Sequence, residues 1–308
     1  MDLIEDLTSF LSTAPNPLVA VLGATATGKT KLSLEIAKAI DGEIISTDSR
    51  QIYREMPIAT DIILPEEQQG IVHHMLEIAD PDKTLTLAEF KDIATEKIKD
   101  IHSRNKIPML VGGTGLYVSA ITQGYDVPRI PPNPELREEL EKLNTEDLHK
   151  KLEDLDPESA AKIHANNRRY VIRTIEINSH SNKKDYKTKS PYDLFFIALE
   201  RPREEIYERI EQRVDQQIER GLVQEVQALL NKNYDENLPS MSSLGVKEII
   251  PYLRGEMALD EALIILKRNT RRYAKRQMTW LRRYDNVTRL NQEQVTECLK
   301  KLSQISKN

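Results

Sequence analysis

The sequence predicts an α/β protein: a P-loop core with a parallel sheet flanked by helices, plus an all-helical insertion domain. Three observations predict it. An apolar run, Leu18-Val19-Ala20-Val21-Leu22, leads directly into Gly23-Ala24-Thr25-Ala26-Thr27-Gly28-Lys29-Thr30 and then into a helical pattern (Leu32, Leu34, Ile36, Ala37, Ile40). Further short apolar runs, at 42–46, 107–111 and 194–199, read as strands of the same sheet. Between the last two, residues 126–192 are rich in charge and lack strand-like runs. The core therefore spans 18–125 and 193–308, and 126–192 form the helical insertion.

Bulk properties exclude several classes. Of 308 residues, 30 % are charged, and mean hydropathy is −0.53. No run approaches the roughly 18 apolar residues that a membrane-spanning helix needs. The first residues (Asp2, Glu5, Asp6) are acidic where an export signal is basic. Cys298 is the one cysteine, so no intrachain disulfide can form, which agrees with a reducing cytoplasm. A net charge of −5 argues against bulk attraction to nucleic acid, but the charge is unevenly placed.

In chain order, residues 1–17 carry a short amphipathic pattern ended by Pro15 and Pro17, and read as a peripheral helix. In the P-loop, Gly23 and Gly28 let the backbone curl so that N–H groups point inward. The helix starting near Lys29 adds its positive end. Lys29 supplies a point charge for terminal phosphates, and Thr30 a hydroxyl for a bound Mg²⁺. The stretch binds a di- or triphosphate. The second strand ends in Ser46-Thr47-Asp48-Ser49, at the sheet edge where ligands of open parallel sheets collect. Asp48 either faces the P-loop ligand or caps a helix over 50–53, and position alone leaves both open. Residues 88–104 read as a crossover helix before the strand at 107–111, which runs into Gly112-Gly113-Thr114-Gly115. Glycines there mean either backbone close to a ligand or a tight turn.

The region after 199 reads as helix: 203–220 stopped at Gly221, then 223–230, 248–253 and a last long helix through 267–283. Eight basic residues and no acid fall in 267–283, and Arg268, Arg272, Lys275, Arg276 and Arg283 recur at helical spacing. With Tyr273 and Trp280 among them, this stripe is a candidate footprint for a phosphate backbone. No apolar strand ends in the Asp that hydrolytic P-loop proteins use for Mg²⁺, since Gly112 and Glu200 follow the candidates. Two enzyme classes remain: a small-molecule kinase, or a transferase that grips a diphosphate leaving group.

Nearly end to end, the chain resembles the tRNA dimethylallyltransferase family. The resemblance is carried by G-A-T-A-T-G-K-T at 23–30, D-S-R-Q-I-Y at 48–53, H-H at 73–74 and P-M-L-V-G-G-T-G-L-Y at 108–117. It continues with D-P at 156–157, I-H-A-N-N at 163–167, R-I-E-Q-R at 209–213, L-G-V-K-E at 244–248 and R-R-Y-A-K-R-Q-M-T-W at 271–280. What it implies is transfer of a dimethylallyl group from dimethylallyl diphosphate to N6 of the adenosine 3′ of the tRNA anticodon. Gly23, Ala24, Thr25, Ala26, Thr27, Gly28, Lys29 and Thr30 would hold the diphosphate with Mg²⁺, helped by Arg213. Asp48 would be the general base, and Thr114 would lie against the incoming, flipped-out nucleotide. Ser49, Arg50 and Gln51 would recognise the base. Arg137, Arg169, Tyr170 and Arg173 would contact RNA, and so would Leu244, Gly245, Lys247, Lys275, Arg276, Gln277, Trp280 and Arg282. The sequence departs from the family at Tyr170 (often Arg), Val246 (usually Tyr) and Ala165 (commonly Pro). His73 and His74 read as structural. The motif set needs no partner chain, so a monomer is expected. The alternatives are an adenylate isopentenyltransferase, a small-molecule kinase and a non-catalytic RNA-binding protein.

Overall fold

The structure, a computed structural model, describes residues 3–124, 127–180 and 190–305. The chain divides into two compact units, one of Met1–Gln123 with Ser190–Asn308 and one of Gly124–Lys189.

In the first unit, α1 (Leu3–Thr13) precedes β1 (Pro17–Gly23), α2 (Lys29–Ala39) and β2 (Gly42–Ser46). A short α3 (Pro57–Thr60), a 3₁₀ turn (Pro65–Glu67) and β3 (His73–His74) follow, then α4 (Leu87–Ser103), β4 (Ile107–Gly112) and α5 (Gly115–Thr122). The second unit is helical: α6 (Pro134–Glu141), α7 (Thr145–Leu155), α8 (Pro157–Lys162) and α9 (Arg168–His180). The chain re-enters the first unit at β5 (Asp193–Leu199) and continues through α10 (Arg203–Glu219), α11 (Leu222–Asn231), α12 (Val246–Leu253), α13 (Leu259–Leu281), β6 (Val287–Leu290) and α14 (Gln292–Ile305).

The strands pair in parallel in the order β3-β2-β4-β1-β5-β6. β1 is central and almost wholly buried because helices cover both faces, which is why it reads as a continuous apolar run. Its residues alternate between two cores. Val19 and Val21 pack with α1, α2 and α14, while Leu18, Ala20 and Leu22 pack with α4 and α5. A third core joins α10, α11, α12 and α13 to Ile52, Tyr53, Met56 and Ala59 of the chain after β2. The neighbours of β1 are β4 on one side and β5 on the other, so the topology switches at β1 and opens a crevice at its carboxyl end.

The strands expected from apolar runs are β1, β2, β4 and β5. The edge strands β3 and β6 are too short and too polar to show one. α13 starts earlier than the basic stretch suggests, and α14 follows it. Of the two alternatives for Asp48, the helix over 50–53 is absent: the segment is a series of turns, so Asp48 caps no helix. The expected boundary at 125–126, and most of the polar segment 179–191, lie outside the described residues. The two histidines are framework: His74 Nε2 lies 2.8 Å from Glu43, and His73 Nδ1 lies 2.9 Å from the Ile71 carbonyl. Among the described residues, no helix is long and apolar enough to cross a membrane.

Candidate active site

The site is built on the turn from β1 into α2. Gly23 cannot carry a side chain, since a Cβ there would lie 2.7 Å from Thr27 Oγ1. Gly28 takes a left-handed conformation (φ 93°) at the start of α2, as the loop geometry requires. Inside the loop, Thr27 Oγ1 and Lys29 Nζ each donate to the Ala24 carbonyl at 2.8 Å. Burial lowers the Lys29 ammonium to about 8; Asp48 and Asp61 oppose that shift, and Arg213 adds to it. Asp48, Asp61 and Arg213 are thus the charged groups whose fields reach Lys29.

Four side chains hold the loop from outside. Arg201 Nε donates to the Thr27 carbonyl at 2.9 Å, and Arg209 Nε to the Ala26 carbonyl at 2.7 Å. Arg213 Nη1 donates to Thr25 Oγ1 at 2.7 Å and also pairs with Asp61 at 3.2 Å. Gln277 Oε1 accepts the Thr25 N–H at 2.8 Å. Arg201 and Arg209 among these, and Asp61 beside Arg213, escaped sequence reasoning. Arg209 lies within R-I-E-Q-R, and Arg201 follows the carboxyl end of β5, so both carried a positional signal.

Across the crevice, β2 and β4 are tied together at their ends. The Thr114 N–H donates to the Thr47 carbonyl at 3.2 Å, and the Ser49 N–H to Thr114 Oγ1 at 3.1 Å. Gly112 lets the strands close, because a Cβ would sit 2.4 Å from Thr47 Oγ1. Asp48 Oδ1 accepts the Arg50 N–H at 2.8 Å in a local turn. Tyr273, on α13, reaches the Thr114 side chain. Burial first, and then Asp48, push its phenol up to about 12, against a hydrogen bond with the Thr114 side chain.

The expected recognition residues differ in what they do in this structure. Gln51 is engaged internally: its Oε1 accepts from Ser46 Oγ at 2.9 Å and its Nε2 donates to the Asp61 carbonyl at 3.0 Å. Arg50 reaches the Pro239 carbonyl and Ser242 Oγ. Leu244 is half-buried against the third core, and Gly245 is buried, its N–H donating to Glu248. Val246 is fully buried, so that departure from the family falls on a core position. Lys247 is exposed.

On α13, Lys267 and Arg271 turn toward α10 and pair with Asp215 and Glu211 at 2.6 Å. Arg268, Arg272, Lys275, Arg276, Arg282 and Arg283 are exposed, which leaves a cationic stripe. Trp280 is half-buried against Gly115, with the Arg283 guanidinium 4.6 Å above its ring.

The helical unit is organised around Glu176, whose side chain is fully buried. Arg137 grips it through two bonds of 2.7 and 2.9 Å, Arg173 donates at 3.1 Å, and the Asn133 N–H at 2.9 Å. Burial would raise this carboxyl, but the Arg137, Asn133 and Arg173 bonds outweigh it and hold it low. Arg137 and Arg173 are thus held by Glu176 while still partly accessible, and Arg169 and Tyr170 are exposed.

A strand, a G-x-x-x-x-G-K-T loop and a helix at the switch point of a parallel sheet define a P-loop α/β protein. A family model described as IPP transferase matches residues 51–284. The tRNA dimethylallyltransferase of Alkaliphilus oremlandii is 45% identical over 291 residues, covering 91% of this chain and 93% of its own. That of Halalkalibacterium halodurans is 44% identical over 282 residues, covering 88% and 90%. The solved full-length tRNA isopentenylpyrophosphate transferase of Bacillus halodurans superposes with a TM-score of 0.71 at 41% identity, over 95% of this chain and 97% of that one. A eukaryotic dimethylallyltransferase acting on tRNA gives a TM-score of 0.75 at 27% identity, over 90% and 74%. The chain belongs to the IPP transferase family and is a prenyltransferase.

Proposed function

We propose that this chain transfers a dimethylallyl group from dimethylallyl diphosphate to N6 of the adenosine 3′ of the anticodon in tRNA. The observation that carries this reading is the placement of Asp48 and Thr114 just past the carboxyl ends of β2 and β4, on the same edge of the sheet as the loop that follows β1. An acceptor for a proton would there serve the cradle for a leaving diphosphate. The allylic C–O bond breaks and its electron pair leaves with the diphosphate. The N6 lone pair forms the new C–N bond, and the N6 proton passes to Asp48, a role worth about 10²–10⁴-fold in rate.

Lys29, Arg213 and the inward N–H groups of the loop take up the diphosphate charge. Thr30, exposed at the mouth of the loop, would hold Mg²⁺ with the oxygens of the diphosphate itself. That donor set suits a hard cation. Among the described residues no group of three or more His, Cys, Asp or Glu is placed to hold a metal, so substrate and water would supply most of its ligands. When bound, the ion neutralises charge on the leaving group. Ser49, Arg50 and Gln51 line the approach of the flipped adenine; Arg50 and Gln51 exchange internal bonds for it. The exposed stripe on α13, with Lys247, takes the anticodon stem-loop. In the helical unit by itself, Arg169 and Tyr170 are the exposed side chains proposed to contact RNA. The protein works as a monomer in the cytoplasm.

The test is a transfer assay with labelled dimethylallyl diphosphate, Mg²⁺ and either unmodified tRNA or free AMP. Label in tRNA alone is expected. Label in AMP would assign the chain to nucleotide modification, and label in neither would refute transfer. Asp48→Ala should abolish transfer and leave RNA affinity within a few-fold; near-normal rates would remove Asp48 from the base role.

A further inference from the structure

We infer that Gln277 is a positioning residue of the diphosphate cradle and not a contact to RNA. It lies within the basic stretch of α13, yet it is only 5% exposed. Its carboxamide oxygen accepts the Thr25 N–H at 2.8 Å, and its nitrogen end lies over Gly113, where a Cβ would approach Nε2 to 2.1 Å. The residue is thus clamped between the P-loop and the turn after β4.

Thr25 is a joint between two helices. Its N–H is held by Gln277 of α13, and its hydroxyl by Arg213 of α10. One turn before Gln277, Ala274 packs with Ala24, Ile206 and Ile210 in a small apolar cluster that seats the loop on both helices. The next residue of the loop, Ala26, is in the left-handed region (φ 64°), a conformation an alanine holds only under restraint. Gln277 fixes the residue before it, and Arg209 fixes the Ala26 carbonyl itself. A neutral amide suits this place. It satisfies a loop N–H that would otherwise lack a partner, without bringing a negative charge toward the diphosphate. The helix therefore presents two faces: Lys275 and Arg276 outward, Gln277 inward onto the loop.

The inference rests on the transfer reaction proposed above, and its test separates the two. Gln277→Met keeps the volume and removes the acceptor. Three quantities are measured on the full chain: affinity for inorganic pyrophosphate with Mg²⁺ by calorimetry, affinity for tRNA, and steady-state transfer. Pyrophosphate affinity should weaken and KM for dimethylallyl diphosphate should rise about three- to tenfold, the loss expected for one hydrogen bond, with kcat less affected and tRNA affinity within about twofold. Weakened tRNA binding with unchanged pyrophosphate affinity would overturn the inference, and so would no change in either. If wild-type protein binds pyrophosphate but labels no tRNA, the transfer reading fails while the pyrophosphate arm still decides the role of Gln277. If the methionine variant does not fold, amide exchange of the wild type decides: Thr25 N–H should be protected without ligand, and fast exchange there would refute the bond.

Discussion

Replacing Gly115 by alanine tests how the turn after β4 receives the basic helix. A Cβ at this position would lie 1.8 Å from Trp280 Cδ1 and 2.1 Å from its Nε1, where ordinary contacts fall at 3.4–4 Å. The ring is rigid, so it must rotate as a whole and lose its place under Arg283. Overpacking of this kind costs about 1–3 kcal/mol. Alanine in a helix regains up to about 1 kcal/mol over glycine, and less at the first residue of α5, so a net loss of about 1–2 kcal/mol is expected. Trp280 is the sole tryptophan, so its emission reports the local change directly while urea unfolding reports stability. The variant should shift emission toward that of exposed tryptophan and lower the urea midpoint. Combining it with Trp280→Leu, followed by circular dichroism, should recover about 1 kcal/mol in a double-mutant cycle. Wild-type emission and midpoint in Gly115→Ala would refute the packing argument.

Two further outcomes follow from charge. Lys275→Ala with Arg276→Ala should weaken tRNA binding and reduce the slope of log affinity against log salt by about 1–2, roughly one per phosphate contact; an unchanged slope would move the RNA footprint off α13. Glu43 is buried at the base of β2 and is held at about 2 by its bond to Arg104, against burial and with help from His74. A depressed carboxyl contributes stability that is present above its ordinary 4.5 and lost as pH falls toward about 2. Arg104 is partly exposed, so solvent screening cuts the contribution to about 2 kcal/mol. Glu43→Gln should therefore lower stability by about that amount at pH 7, with the difference from wild type shrinking between pH 4.5 and 2. A pH-independent difference would mean that packing, not charge, is lost.

The sequence by itself determined the strand–loop–helix at 17–39, the parallel strands with apolar runs and the helical character of the insertion. In each, local pattern and tertiary environment agree. β1 is apolar throughout because both its faces are covered; of the loop glycines, Gly23 leaves no room for a side chain and Gly28 takes a left-handed backbone. The edge strands β3 and β6 lacked such a signal, since strands this short draw their pairing from neighbours far away in the chain. The roles of single side chains were decided only by tertiary structure. Gln277 and Lys275 sit two residues apart in one basic run, yet one is buried against the P-loop and the other faces solvent, because α13 packs on α10 and on the turn at Gly113. Arg137 and Arg173 closed on Glu176, and Val246 entered the core, for the same reason: composition states which charges and apolar groups are present, but the packing of helices decides which of them meet.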